Sequence, residues 1–365
     1  MGLIRFYLAL SVVTFHASIL LRKEFKLPWN KDLFLGMDGW HAVFLFYVIS
    51  GFLISFVLEI KYPRGKTSAF YQARFYRIYP LWWAVCLFSI FMWGGGGLTR
   101  HGILPMLSVW ILFGLDWLLP FLSYPKIDWS FLPPYTLMGW TLGAEVMFYA
   151  LAPFLLRAPK IAAVAFVGSL TLRMIAWTTA DGFDAEMRWN FYFFPTALSF
   201  FLAGHFAREI CKLRPELLSY GFWLAIPAIL CIYNMPAIPF DSVYFYFGTL
   251  LFALALPSIF EATKDNRISN FFGDLTYPIY LIHIFCIIAA AGLLRTSSGS
   301  AFLDYVRQIP STSVQSYAWM LPFLVACTVM AGLVHYLVEI PLVAVLRLAF
   351  SGLRNLGMSA AKRAA

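Results

Sequence analysis

Two residues suited to acid–base and charge chemistry, Arg5 and His16, lie in one apolar stretch near the start of the chain. Eleven residues at about 100° each complete roughly three helical turns, so both side chains share a helix face, about 16 Å apart along its axis. An ionisable group near the bilayer middle costs on the order of 2.5 kcal/mol or more and usually has a function. Imidazole exchanges protons near neutral pH, so His16 is a candidate general base. A hydrogen bond between helices is the structural alternative.

Two arginines three residues apart, Arg74 and Arg77, share a second helix face, and Tyr76 lies between them in sequence. Such arginines anchor the cytoplasmic ends of membrane helices. Their planar guanidinium groups also bind phosphate through paired hydrogen bonds, which favours a donor that carries a nucleotide. The sequence contains no P-loop and no glycine-rich dinucleotide fingerprint, so ATP hydrolysis and nicotinamide chemistry find no support.

A carboxylate, Glu145, lies in another apolar segment, with Tyr149 on the same helix face. An unpaired carboxylate in lipid is costly, so we expect a partner across the bundle, with Arg5, Arg74 and His16 as candidates. The pair could be a structural ion pair, or the carboxylate could orient a catalytic histidine. The sequence leaves both roles open.

Two weaker pairs also share helix faces. Tyr280 and His283 are three residues apart, and His335 and Glu339 are four residues apart. Each pair could be a polar seam between helices or part of a site.

The composition describes the elements that must position these side chains. Of 365 residues, 61% are hydrophobic and only 12% are charged, and the mean hydropathy is +0.75. These values predict an all-α polytopic membrane protein. The net charge of +9 comes from basic residues in short loops rather than in stripes with stacking aromatics, which argues against a nucleic-acid partner. The five cysteines lack metal-ligand spacing, so we expect neither a metal site nor a disulfide framework.

About ten apolar runs approach the length of roughly 20 residues that a membrane helix needs. They lie at 6–21, 40–60, 78–93, 138–156, 161–178, 190–207, 218–235, 243–260, 276–294 and 317–338. The loops 61–77, 157–160 and 208–214 are basic, which predicts that they and both termini are cytoplasmic.

The stretch 98–135 does not fit a single crossing, because a single crossing would move the later basic loops to the other side. We expect it to be re-entrant or a broken pair of half-helices. The chain then forms one transmembrane domain over 1–350, followed by a short basic cytoplasmic tail over 351–365.

Six motifs, in this order, resemble the acyltransferase 3 family of integral-membrane acyltransferases. They are Arg-x10-His at Arg5 and His16, a Phe-Phe-x-x-Ser-Gly-Phe type segment within Phe44–Phe52, Arg-x-x-Arg-Ile-x-Pro at Arg74–Pro80, Trp-x-Leu-x-x-Glu-x-x-Phe-Tyr at Trp140–Tyr149, Ser/Thr-Tyr-x-x-Tyr-Leu-x-His at Thr276–His283, and Val-Glu-x-Pro at Val338–Pro341. Each motif is weak alone, but six in register are specific. The departures are small: Thr276 stands where serine is common, and Leu45-Phe46-Tyr47 varies the aromatic run.

The resemblance implies an enzyme of a bacterial inner membrane that moves an acyl group, usually acetyl, from cytosolic acyl-CoA to a sugar hydroxyl on the far side. Acyl-CoA would be a donor substrate and not a permanently bound cofactor. The expected partners are a glycan or lipid-linked saccharide, membrane lipids and envelope polysaccharide machinery.

The residue patterns and the resemblance together predict three sets of site residues. The catalytic set is His16 as the base with Glu145 and Arg5, the donor-binding set is Arg74, Arg77 and Tyr76, and the substrate-binding set is Tyr149, Tyr280 and His283.

A transporter, such as a flippase for a lipid-linked saccharide, is the alternative, because broken helices and midplane charges also form transport sites. That class predicts symmetry between the two halves of the chain, and the sequence shows none. A structural scaffold would leave the pairing of Arg5 with His16 unexplained.

Overall fold

The computed structural model of the protein describes residues 1–28, 39–93, 136–233 and 243–350. All regular secondary structure in these ranges is helical, which confirms the predicted all-α class. The longer helices are α1 (Gly2–Phe25), α2 (Gly39–Ile60), α3 (Thr67–Trp93), α4 (Thr136–Leu155), α5 (Pro159–Thr179), α6 (Phe194–Leu213), α7 (Ala225–Tyr233), α8 (Val243–Thr263), α9 (Arg267–Leu294), α10 (Ser297–Gln308) and α11 (Thr312–Val334).

Short turns complete the helical path. The helical turn Phe183–Glu186 and the π-helical turn Met187–Tyr192 precede α6. The turns Leu217–Tyr220 and Gly221–Leu224 precede α7. The chain continues from α11 through the π-helical turn His335–Glu339 as far as Phe350.

Every apolar run of the sequence overlaps a helix of the structure. Among the described residues, six helices are long and apolar enough to cross a membrane: α1, α2, α5, α8, α9 and the continuous helix Thr312–Phe350. The protein is therefore a multi-pass membrane protein.

Helices α1 and α9 pack in parallel and in register. Arg5 donates a hydrogen bond from Nη2 to the carbonyl of Gly273, 268 positions later. His16 pairs with His283, 267 positions later. The helices approach closely, since a Cβ atom on Gly2 would lie 1.7 Å from a backbone oxygen of α9. The predicted shared face of Arg5 and His16 is confirmed, because both side chains contact α9.

Helices α2 and α6 also run in parallel with direct backbone contact. A Cβ atom on Gly51 would lie 1.7 Å from the carbonyl oxygen of Phe201. One turn further along both helices, the hydroxyl of Ser55 lies 2.8 Å from Nδ1 of His205. Glycine permits this approach because it has no side chain to separate the two backbones.

Helices α3 and α4 run antiparallel. The Tyr71 hydroxyl donates to the carbonyl of Ala150 at 2.8 Å, and Arg157 donates to the Thr67 hydroxyl at 2.9 Å. The end of α3 and the start of α4 therefore lie at the same end of the bundle, as the charge pattern requires. The predicted re-entrant stretch 98–135 itself lies outside the described residues, as does the tail after Phe350.

The three basic loops meet at one end of the bundle. Arg64, Arg157 and Lys212, one from each loop, line one cavity beside the ends of α2 and α4. We call this the basic end. Helix α3 begins there and runs parallel to α9, because Tyr277 donates to the Ile78 carbonyl at 2.7 Å and, further along both helices, the rings of Phe88 and Phe285 lie 5.4 Å apart. The first residues of α1, α3 and α9 therefore all lie towards the basic end.

We expect Gly51→Ala to lower the free energy of unfolding, because the added methyl group would overlap the backbone of α6. Overpacked sites typically cost about 1–3 kcal/mol. Thermal unfolding of the purified protein in detergent measures the loss. Gly168→Ala in α5 is the matched control, since a Cβ atom there has nothing within 4 Å. Equal melting temperatures for the two variants would contradict the close packing of α2 on α6.

Candidate active site

One cavity between α1, α2, α3, α4 and α9 collects most of the predicted site residues. Those in its wall are Arg5, Arg74, Arg77, Glu145, Tyr149 and Tyr280. The space between its walls, including the open mouth, is about 980 Å³. Residues that the sequence places on four different helices therefore form one site.

Glu145 is held by hydroxyl groups. It accepts hydrogen bonds from the Ser50 hydroxyl at 3.2 Å and from the Tyr149 hydroxyl. The expected partner across the bundle is Ser50 of α2; of the candidates Arg5, Arg74 and His16, none forms an ion pair with Glu145 in the part of the chain that the structure describes. A carboxylate can accept about four hydrogen bonds, so Glu145 retains capacity to accept from a substrate.

Two arginines of the cavity have no carboxylate partner among the described residues. The guanidinium group of Arg74 lies over the rings of Phe70 and Tyr149, 5.7 and 5.6 Å from their centres. Arg5 donates to the Gly273 carbonyl at 3.4 Å. The Nε atoms of both arginines are buried, and neither has a hydrogen-bond partner within the described chain. Unused guanidinium donors in a cavity suit a phosphate ligand.

Arg77 differs from Arg74 because the protein already pairs it. Its guanidinium group lies 3.3 Å from the carboxylate of Glu339, which is only 5% exposed. Nδ1 of His335 lies 2.7 Å from the same carboxylate. The pair His335 and Glu339 is therefore a polar seam that joins the last helix to α3 and fixes Arg77 in the cavity wall.

Tyr76, predicted to bind the donor, lies outside the cavity. Its ring packs against Phe350, and the Arg347 guanidinium group lies 5.4 Å from its centre. The reason is helix geometry: residues three apart share a face, whereas a residue between them points elsewhere. The structure places Tyr76 in contact with the last helix.

His16 and His283 form a stacked pair. Nδ1 of His16 lies 2.9 Å from Nε2 of His283, and the ring centres are 5.0 Å apart. Nδ1 of His283 lies 2.8 Å from the Tyr280 carbonyl oxygen. His283 is fully buried, whereas His16 is partly exposed. His283 is predicted to contact substrate; the structure buries it completely and places it against His16.

This contact assigns the tautomers of the neutral rings. A carbonyl oxygen only accepts hydrogen bonds, so Nδ1 of His283 carries the proton that it donates to Tyr280. Nε2 of His283 is then the acceptor, and Nδ1 of His16 donates to it. Nε2 of His16 keeps a lone pair, which is the form that a general base requires.

The histidine pair lies just beyond the end of the cavity that is remote from the basic end. Tyr280 lines the cavity, where its hydroxyl bonds to Thr141, and His283 is one helical turn further along α9. Arg5 lies three turns back along α1. The cavity therefore runs from Arg5 and Arg74, which have no carboxylate partner in the described ranges, towards His16, the candidate base.

Two tyrosines of the wall were missed by the sequence reasoning. Tyr277 donates to the Ile78 carbonyl, and Tyr47 is 3% exposed with a hydroxyl that has no partner among the described residues. The sequence signal for Tyr47 is a polar hydroxyl among the apolar residues of α2. Tyr277 carries no signal apart from its place in a motif, because its contact depends on α3.

A comparison with protein families decides the class of the chain. The family model for the acyltransferase 3 acyltransferase domain matches residues 1–340. The chain belongs to the acyltransferase 3 family. The resemblance of the six motifs is thereby confirmed, and the multi-pass fold described above is that of an acyltransferase-family membrane protein.

Two curated proteins are similar to this acyltransferase 3 member over most of their lengths. Nodulation protein 10 of Rhizobium leguminosarum bv. viciae is 25% identical over 362 residues, which cover 87% of this chain and 90% of the relative. Exopolysaccharide production protein ExoZ of Rhizobium meliloti strain 1021 is 28% identical over 264 residues, which cover 70% and 79%. No solved structure matches the chain significantly.

We expect Glu339→Ala to lower the free energy of unfolding by about 1–3 kcal/mol, since Arg77 and His335 would lose their shared acceptor. Thermal unfolding in detergent measures this loss. Glu24→Ala is the control, because Glu24 pairs with Arg295 at 2.6 Å but both side chains are at least 40% exposed. An exposed ion pair contributes about 0–1 kcal/mol. Equal losses in the two variants would contradict a buried seam.

Proposed function

We propose that the protein transfers an acyl group, most simply acetyl, from acyl-CoA to a hydroxyl group of a glycan. The observation that carries the proposal is one cavity with two arginines at one end, unpaired within the described chain, and beyond the other end His16, whose Nδ1 lies 2.9 Å from Nε2 of His283. Membership of an acyltransferase family supports group transfer over transport. The choice of a glycan as the acceptor rests on the relatives, one of which is named for exopolysaccharide production.

The donor end of the site is the arginine end. Arg5 and Arg74 offer guanidinium donors that no carboxylate of the described chain uses, so they bind the phosphates of acyl-CoA. Arg77 adds positive charge to the same wall while Glu339 holds it in place. The basic end faces the cytoplasm by the positive-inside rule, which is where acyl-CoA occurs. The protein then lies in a bacterial inner membrane with both termini inside.

The reacting end of the site is His16. The acceptor hydroxyl gives its proton to Nε2 of His16 while its oxygen bonds to the thioester carbonyl carbon. The tetrahedral oxyanion collapses, the carbon–sulfur bond breaks, and the imidazolium returns the proton to the CoA thiolate. The products are the glycan ester and free CoA, without a covalent acyl-enzyme.

Two neighbours support these steps without contacting the reacting carbon. His283 is a positioning residue, because its bond to the Tyr280 carbonyl fixes which nitrogen of His16 is free. Glu145 accepts from Ser50 and can accept a further N–H or O–H from a substrate that crosses the cavity. Arg5 lies three turns from His16, so it acts on the charged donor and not on the base.

We expect His16→Ala to lower acetyl transfer by about 100-fold or more, the contribution of a general base. The measurement is transfer of radiolabel from acetyl-CoA into the saccharide fraction of membranes, at equal amounts of folded protein. His205→Ala is the matched control, because His205 is buried against Ser55 in another part of the bundle. A transfer rate in His16→Ala that equals the rate in His205→Ala would overturn the assignment of the base.

We expect Arg74→Gln to raise the KM for acetyl-CoA about 10-fold or more, because one charge-assisted hydrogen bond to phosphate is lost. Acetyl-pantetheine has no phosphate, so the wild type and the variant should use it equally. Arg157→Gln is the control, since Arg157 is also at the basic end but bonds to Thr67 and to the Tyr62 carbonyl. If the KM of the Arg74→Gln variant rises by the same factor for acetyl-CoA and for acetyl-pantetheine, Arg74 does not bind phosphate.

A further inference from the structure

The Tyr47 hydroxyl is a hydrogen-bonding group of the cavity wall for which the described chain provides no partner. The residue is 3% exposed, and its hydroxyl is buried without a hydrogen bond to any described residue. Its ring is held firmly, stacked 4.4 Å from Phe201 and set edge-on to Phe44. A buried hydroxyl without a partner is unfavourable, so a ligand that accepts its hydrogen bond gains affinity.

Other hydroxyl groups of the cavity wall are already used within the protein. Ser50 and Tyr149 donate to Glu145, and Tyr280 bonds to Thr141. Tyr277 donates to a backbone carbonyl of α3. Tyr47 is therefore a neutral donor of this wall that stays available to a bound molecule.

The position of Tyr47 along the axis of the bundle follows from two hydrogen bonds between helices. Ser50 on α2 is level with Glu145 on α4, because the two side chains are hydrogen-bonded. Tyr47 is one turn from Ser50, and Thr141 is one turn from Glu145 in the same direction, since α2 and α4 run in parallel. Tyr47 is thus level with the bond between Thr141 and Tyr280.

This level lies between the two functional ends of the cavity. The arginines that suit phosphate lie towards the basic end, and the histidine pair lies one turn beyond Tyr280. A donor whose phosphates rest on the arginines and whose thioester reaches the histidines must pass this level with its pantetheine arm. That arm contains two amide groups, and an amide carbonyl is a good acceptor for a tyrosine hydroxyl.

We propose that the Tyr47 hydroxyl donates a hydrogen bond to an amide carbonyl of the pantetheine arm of acyl-CoA. This assignment rests on the proposed function and adds a donor-specificity residue to it.

The test is Tyr47→Phe, which removes the hydroxyl and keeps the ring. We expect the KM for acetyl-CoA to rise about 3- to 10-fold, the effect of one neutral hydrogen bond, with kcat unchanged. Acetyl-pantetheine keeps both amides, so its KM should rise by the same factor in the variant. S-ethyl thioacetate has no amide, so its kcat/KM should be equal for the variant and the wild type.

Tyr71→Phe is the matched control. Tyr71 lies on α3 and donates to the Ala150 carbonyl, and it is not part of the cavity wall. Its loss should lower the melting temperature and leave the KM for acetyl-CoA unchanged. Tyr47→Phe should show the opposite, with an unchanged or higher melting temperature, because it removes a hydroxyl for which the described chain provides no partner.

Three results would overturn the assignment. An unchanged KM for acetyl-CoA would show that Tyr47 does not bond to the donor. A raised KM for the glycan alone would show that the hydroxyl contacts the acceptor instead. A lowered melting temperature with unchanged kinetics would show a structural role. Failure of the proposed function looks different: the wild type would then transfer acetyl from none of the three donors, and the assignment of Tyr47 would be rejected with it.

Discussion

The parallel packing of α1 on α9 is the interaction on which the rest of the site depends. Because the two helices run in register, successive turns of α1 contact successive turns of α9 from Arg5 to His16. Arg5 is fixed at one level by Gly273, and His16 is fixed three turns away by His283. The distance between Arg5, near the basic end, and His16, the proposed base, is therefore set by helix rise alone.

The low-dielectric surroundings determine how the remaining polar groups are arranged. Lipid supplies no hydrogen bonds, so each buried polar group needs a partner in the protein or in a ligand. Glu145 is satisfied by hydroxyls, and Arg77 is satisfied by Glu339. Arg74 rests on aromatic rings that stabilise its charge and leave donors unused. Arg5, Arg74 and Tyr47 each keep a buried polar atom without a partner in the described chain, and all three line the cavity of the proposed site.

Close backbone contacts make this arrangement rigid. Glycines bring α1 against α9 and α2 against α6 at distances that no other residue permits. Side chains that stand on such helices have little freedom to shift, which favours a preformed site. His283, fully buried against His16, extends the same rigidity to the orientation of the His16 ring.

The sequence by itself determined the all-helical membrane class, the shared face of Arg5 and His16 and the family. These are properties of composition, of the 3.6-residue helical period and of ordered motifs, which are local in the chain. Only the tertiary structure decided that Glu145 is held by Ser50 and not by a cation, and that His283 supports His16. Only it showed that Tyr76 turns from the cavity and that Tyr47 lines it. Periodicity tells which residues share a helix face, whereas the partner of that face depends on contacts between distant helices.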